Sequence, residues 1–255
     1  MAPSTDPTVV LVHGPWADGL SFAAVTWELL RAHHRVVLAP DVVHGVASDT
    51  RALVNFLAEA TSGPVVLAAH SYGGILITGA ANHHPEVRAL VYIDALAPDR
   101  GESARSLIAE TPGSLLGVAD PTTVFDFVRH GPDAPRDEHE VYVRRDVYHR
   151  VFADGLSTRE AVVLAATQRP ATVGALIEPF AEAPAWRRLP SFFFIGSNDS
   201  VIPPPQLRRM AKRAGSVVSE EWAPHLAMVT EPQKVTRLIS DAVKAVTPTT
   251  GERYE

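Results

Sequence analysis

The chain has 255 residues, with 23 Lys and Arg against 29 Asp and Glu, a net charge of −6, and no cysteine. That length can bury a sizeable core as one α/β domain, and an acidic balance without a Lys/Arg run excludes a nucleic-acid footprint. Disulfides and thiolate chemistry are excluded with the cysteines, and the apolar runs fall far short of the ~18 residues that a membrane span needs. The start, MAPSTDPTVVLVHG, has no basic segment ahead of an apolar one. A secretory signal is therefore not expected, and the expected location is cytoplasmic.

The run TVVLVH over 8–13 is continuously apolar and ends in a Gly-Pro turn, which predicts a strand buried on both faces. Apolar residues at helical spacing predict a helix over 20–33. HRVVLAP (34–40) predicts a second buried strand, stopped by Pro40. A helix over 48–60 starts on a capping residue, Ser48, and turns Leu53, Phe56 and Leu57 to one face. PVVLAA (64–69) predicts a third strand, followed by a helix over 72–84. A fourth strand falls at 88–94, a fifth at 191–197 and a weaker sixth at 215–222. Helices are predicted over 204–214 and 231–246, and 248–255 is a polar, frayed tail. Trp16 and Trp27 both read as core candidates.

Apolar strands alternating with helices predict a parallel sheet covered by helices on both faces. Residues 100–187 break the alternation. They show no convincing buried strand, but amphipathic stretches such as PTTVFDFVRHG (121–131) and TREAVVLAATQ (158–168), and a charged loop. The expected organisation is a core of 1–99 and 188–247 with a helical lid of 100–187 over one end of the sheet.

Ligands of open parallel sheets bind beyond the carboxyl ends of the strands. The residues predicted there are His13-Gly14-Pro15-Trp16, His70 to Gly74, Asp94, Asp199 and His225. Ser71, Asp199 and His225 supply what acyl transfer needs: a hydroxyl, a base to take its proton, and a carboxylate to hold the base. A serine on a tight strand-to-helix turn leaves no room for side chains two positions away. Those positions are Ala69 and Gly73. Such a turn aims the Tyr72 backbone N–H at a developing oxyanion. The bland reading of Ser71 is a helix cap. Asp94 rivals Asp199 as the carboxylate. His13 and Trp16 are candidates for substrate contact beside the site, although His13 can equally shape its loop. His83 and His84 read as a solvated helix end. His130, His139 and His149 lack a ligand spacing, so neither metal nor cofactor is expected.

The segments AHSYGG (69–74), LVHGPW (11–16), GSNDSVIP (196–203) and PHLAMVTEP (224–232) together resemble the α/β-hydrolase superfamily over nearly the whole chain. They are similar to its branch of small bacterial hydrolases, esterases, plant methylesterases and hydroxynitrile lyases. The resemblance implies the α/β-hydrolase fold, with Ser71 as nucleophile, His225 as base and acid, and Asp199 as orienting carboxylate. There are two departures. Ala69 stands where the elbow usually begins with Gly, and Pro15 stands where an oxyanion-hole N–H is usual. Proline has none, so either the loop at Pro15 is shifted so that the Trp16 N–H, or a side chain, joins the Tyr72 N–H in the oxyanion hole, or the hole is half-built and the natural reaction develops no full oxyanion, as in a lyase or isomerase.

The expected function is a cofactor-free serine hydrolase acting on a small-to-medium, largely apolar ester. One alternative is a lyase, isomerase or cyclase using the Ser–His pair for proton transfer. The other is a small-molecule receptor that keeps the fold. The expected partner is a small-molecule substrate, with no nucleic acid and no membrane, for a monomer or homodimer.

Overall fold

The computed structural model describes residues 6–40 and 43–247. Six strands form the main sheet: β1 (Thr8–Val12), β2 (Arg35–Leu38), β3 (Val65–His70), β4 (Val87–Ile93), β8 (Ser191–Gly196) and β9 (Val217–Glu221). Their spatial order is β2-β1-β3-β4-β8-β9, and every neighbouring pair is parallel. β1, β3 and β8 are buried along their whole length, as unbroken apolar runs require. The order reverses at β1, because β2 lies on one side of it and β3 on the other. The carboxyl ends of β1 and β3 therefore flank the topological switch point, where such sheets bind ligands.

Helices α1 (Ala23–Arg31), α2 (Val46–Ala60), α3 (Gly73–His83), α8 (Pro204–Ala214), α9 (Ala227–Thr230) and α10 (Pro232–Val246) complete the core. α2 packs on α3, and α1 packs on α10. Among the described residues, no helix is long and apolar enough to cross a membrane.

Several expectations need correction. β2 is apolar in sequence but lies at the sheet edge, where its residues are exposed or half-buried. Trp27 is 62% exposed on α1 and is not core. α2 starts at Val46, ahead of Ser48, because its first N–H groups are met from a distance. Glu178 accepts from the N–H groups of Val46 at 2.6 Å and Ala47 at 3.1 Å. The orphan donors of a helix start are thus satisfied without a local cap. The tail predicted over 248–255 lies outside the described residues.

The largest correction concerns 100–187. This segment holds α4 (Ala104–Ala109), α5 (Arg145–Val151), α6 (Thr158–Thr167) and α7 (Val173–Ile177), but also three strands. β5 (Phe125–Val128), β6 (Glu140–Val143) and β7 (Ala171–Thr172) form a small antiparallel sheet. PTTVFDFVRHG is therefore a short turn and a strand, not a helix. The reason is period-two burial in the partner strand: Val141 and Val143 are buried, while Glu140 and Tyr142 are half-buried. The Gln168 side chain binds both the N–H of Val143 (3.0 Å) and its carbonyl (2.9 Å), as a further strand would.

Candidate active site

Three of the four non-glycine residues with positive φ among the described residues sit in the loops after β1, β3 and β4. They are Trp16 at 62°, Ser71 at 55° and Asp94 at 43°. That region costs about 1–3 kcal/mol for such residues and is held only where packing over-determines it. At Ser71 the packing is visible. A Cβ on Gly73 would lie 2.8 Å from the Val12 carbonyl oxygen, so only glycine fits there without displacing backbone. The Ser71 carbonyl accepts from Gly74 N–H (3.1 Å) and Leu96 N–H (3.0 Å), which ties the turn to the loop after β4. The cap reading of Ser71 does not describe this turn. Tyr72 is the residue capping α3, and no side chain caps that helix.

The Ser71 side chain is instead paired with His225. Oγ lies 3.1 Å from His225 Nε2, and His225 Nδ1 lies 2.8 Å from Asp199 Oδ2. Asp199 Oδ1 accepts from the N–H groups of Val201 (2.7 Å) and Ile202 (2.9 Å). A carboxylate only accepts, so the His225 proton sits on Nδ1, and bare Nε2 accepts from the Ser71 hydroxyl. All three residues are buried, and Ser71 is 6% exposed. The structure thus brings together side chains from three loops that lie up to 154 positions apart.

Asp94, the rival carboxylate, does not join this chain. It is fully buried, and its Oδ1 accepts from the Gly196 N–H at 2.6 Å. Oδ2 has no hydrogen-bond partner among the described residues. Burial, with the Asp199 charge nearby, pushes its carboxyl well above the usual range.

The loop after β1 abuts the elbow. A Cβ on Gly14 would lie 3.1 Å from both Ser71 Cβ and the Tyr72 backbone nitrogen. The Tyr72 N–H stands beside Ser71 at the start of α3, where the helix dipole favours negative charge. The Trp16 N–H, expected beside it, is turned elsewhere in this arrangement and donates to the Arg169 carbonyl at 2.7 Å. The rest of Trp16 is held by the same segment. Its carbonyl accepts from the Tyr148 hydroxyl at 2.5 Å, and its indole N–H donates to the Val141 carbonyl at 2.8 Å. Its ring packs on Phe125 and Phe152. Pro15 offers no N–H. His13 is buried, and its Nδ1–H turns back onto the Gly14 carbonyl at 2.8 Å, which shapes the loop.

Four participants have no role assigned to them in the sequence reading. Phe152 sets its ring edge-on to His225, with centroids 5.3 Å apart. His70 lies against His225 on another side, 4.5 Å between centroids. Tyr148 and the Arg169 carbonyl hold Trp16. Only His70 left a trace in the sequence, as the neighbour of Ser71 in the elbow. Two cavities, of about 380 and 680 Å³, lie along the return of the inserted segment at Glu178 and Pro179, the smaller one against α2. Neither is lined by Ser71, Asp199 or His225. Among the described residues, no three His, Asp or Glu side chains gather as a metal site would require.

A family model described as the alpha/beta hydrolase family matches residues 9–238. The chain belongs to this family. Its parallel sheet and the helices around it are the expected α/β-hydrolase fold, the strands of the inserted segment apart. A carbendazim-hydrolysing esterase of Nocardioides is 32% identical over 111 residues, which are 39% of this chain and 46% of that enzyme. That match therefore spans less than half of the relative's length. A pyrethroid hydrolase of Sphingobium wenxiniae is 25% identical over 254 residues, covering 93% of this chain and 88% of that one. Among solved structures, a methylesterase from Arabidopsis superposes with a TM-score of 0.74 at 15% identity, covering 94% of this chain and 99% of the other. At that identity the likeness is one of fold.

Proposed function

We propose that this member of the alpha/beta hydrolase family is a serine hydrolase that cleaves a small-to-medium, largely apolar ester through an acyl-enzyme on Ser71. The observation that carries the reading is the buried chain Ser71–His225–Asp199, in which each hydrogen bond has the donor and acceptor that acyl transfer needs. His225 Nε2 takes the Ser71 proton as Oγ attacks the ester carbonyl carbon. The oxyanion forms beside the Tyr72 N–H. The carbonyl then re-forms, the C–O bond to the leaving group breaks, and His225 returns the proton to the alcohol. Water attacks the acyl-enzyme by the same route, giving its proton to His225, and the acid leaves as Ser71 regains a proton. Asp199 holds the ring in the tautomer that these steps require. Two relatives with hydrolase names support ester cleavage. Residues 100–187 act in this reading as a cap over the core of 1–99 and 188–247. Phe125 and Phe152, which pack on Trp16, supply apolar surface for the substrate. His13 and Trp16 shape the near wall of its site.

The test is labelling with a fluorophosphonate followed by peptide mapping, with turnover of p-nitrophenyl esters of graded chain length. The phosphonate should map to Ser71, and Ser71→Ala should lose both label and turnover while unfolding as the parent does. Turnover retained by Ser71→Ala would remove the nucleophile.

A second reading is favoured by the loop after β1, where Pro15 has no N–H and that of Trp16 is engaged. A lyase, isomerase or cyclase that uses His225 and Ser71 only to move a proton develops less charge on the carbonyl oxygen and needs fewer donors there. Such an enzyme would turn over its substrate without the phosphonate-reactive serine being consumed as an acyl-enzyme.

A further inference from the structure

His70 is the last residue of β3 and immediately precedes Ser71. Its side chain is completely buried. Nε2 lies 3.0 Å from the backbone carbonyl of His225, and the two rings meet at 53° with centroids 4.5 Å apart. A carbonyl can only accept, so the His70 proton sits on Nε2. Nδ1 is then a bare acceptor, buried and without a partner among the described residues. An unpartnered buried nitrogen is unfavourable, and an apolar ring would fill the same space without it. What the imidazole adds is the bond to His225.

That bond joins two elements that the mechanism needs in register. Ser71 rides on the turn after β3, and His225 on the loop between β9 and α9. The His225 ring is anchored to Asp199 at Nδ1, and Phe152 of the inserted segment lies edge-on to it. Its main chain is held from within the nucleophile turn itself, one residue before Ser71. We propose that His70 is a positioning residue whose Nε2–H fixes the main chain of His225 and so sets the 3.1 Å approach of His225 Nε2 to Ser71 Oγ. The inference rests on the acyl-enzyme reading above. Burial and the neighbouring His225 hold the His70 ring neutral, well below the usual histidine range, so the donor and its geometry persist as the medium changes.

Two variants separate this role from core filling. His70→Phe keeps a buried ring and removes the donor. His70→Gln restores an N–H at similar reach. For His70→Phe, kcat and the rate of Ser71 phosphonylation should both fall by about 100-fold, the scale set by misplacing a reacting group by about 1 Å. KM should stay within about twofold, because ground-state binding is not touched. His70→Gln should recover most of both losses. A role in packing alone would lower the unfolding temperature and leave both rates per folded molecule unchanged. A folded His70→Phe protein with parental kcat and phosphonylation rate overturns the inference. If that variant does not fold, nitrogen NMR of the parent protein decides: a proton on Nε2 supports the inference, and a proton on Nδ1 overturns it. A parent protein that phosphonate does not label, with Ser71→Ala fully active, overturns the acyl-enzyme reading and this inference together. Normal labelling of the parent with an unaffected His70→Phe overturns this inference alone.

Discussion

Oδ2 of Asp199 lies 2.8 Å from Nδ1 of His225, and the two side chains are no more than 1% exposed. An imidazolium formed at this depth has one counter-charge in hydrogen-bond contact with it. Asp199→Asn keeps the shape, removes the charge and favours the wrong tautomer. We expect turnover to fall by about 10⁴, as in comparable arrangements. Asp94→Asn, whose Oδ1 can still accept from the Gly196 N–H, should leave most turnover in place. Steady-state rates of both variants on the best p-nitrophenyl ester give the ranking. The reverse ranking would move the orienting carboxylate to the loop after β4.

Asp94 should instead mark stability. Its carboxyl is pushed well above the usual range, first by burial and then by the Asp199 charge. The folded state therefore holds this proton at pH values where the unfolded chain has released it. A raised folded pKa contributes stability that is fully present below the unfolded value of ~3.9 and is lost as pH rises through the folded value. Asp94→Asn has no such proton to lose. The variant should gain thermal stability relative to the parent as pH rises above the unfolded value, and the difference should level off once the pH has passed the raised folded value. His70 and Asp49 titrate alike in both proteins and cancel from the difference. Melting curves at matched pH check this, and a difference that is flat with pH would mean that Asp94 is ionised in the fold.

Gly73→Ala probes the turn that raises Ser71. The added Cβ would meet the Val12 carbonyl oxygen at 2.8 Å and the His13 carbonyl oxygen at 3.2 Å. Both are backbone, so relief requires β1 and the elbow to part. The expected cost is about 1–3 kcal/mol of stability, as for overpacking elsewhere. Phosphonylation of Ser71 should slow more than melting alone explains. Denaturant unfolding with a parallel labelling time course measures both, and a variant with parental labelling rate would show that the turn tolerates the shift.

The main sheet was legible because burial on both faces leaves unbroken apolar runs, and β1, β3 and β8 are such runs. Ser71, Asp199 and His225 were legible because each follows a strand that could be seen. β2 was legible as a strand and not as an edge, since strand order is set by packing that a single run does not encode. β5, β6 and β7 were missed because they are two to four residues long and are paired across 125–172. The start of α2 was missed for a similar reason, its cap being Glu178. The role of the Trp16 N–H was out of reach altogether. It depends on a backbone carbonyl at Arg169, and backbone carbonyls carry no residue signature.

That same bond decides the most informative substitution. Pro15 has no N–H, and the Trp16 N–H is given to Arg169 at 2.7 Å. Neither can meet an oxyanion beside the Tyr72 N–H in this arrangement. Loss of one such donor typically costs about 2.7–4 kcal/mol of transition-state stabilisation. Pro15→Ala places an N–H next to Gly14, whose Cα lies against Ser71 and Tyr72. We expect kcat on a p-nitrophenyl ester to rise by about tenfold or more. KM should change little, because the ground-state carbonyl carries no full charge. Releasing the proline loosens the unfolded chain by ~0.4–1 kcal/mol, so a small drop in melting temperature should accompany the gain. A flat or lower kcat with that same small drop would show that the parent already has its second donor. The Trp16 N–H would then have to leave Arg169 when substrate binds, and its amide exchange should quicken in the phosphonylated protein. A clear rise carries a different consequence. It would show that the parent holds the oxyanion with one main-chain donor, the Tyr72 N–H, and that the loop after β1 supplies the second only once the proline is removed.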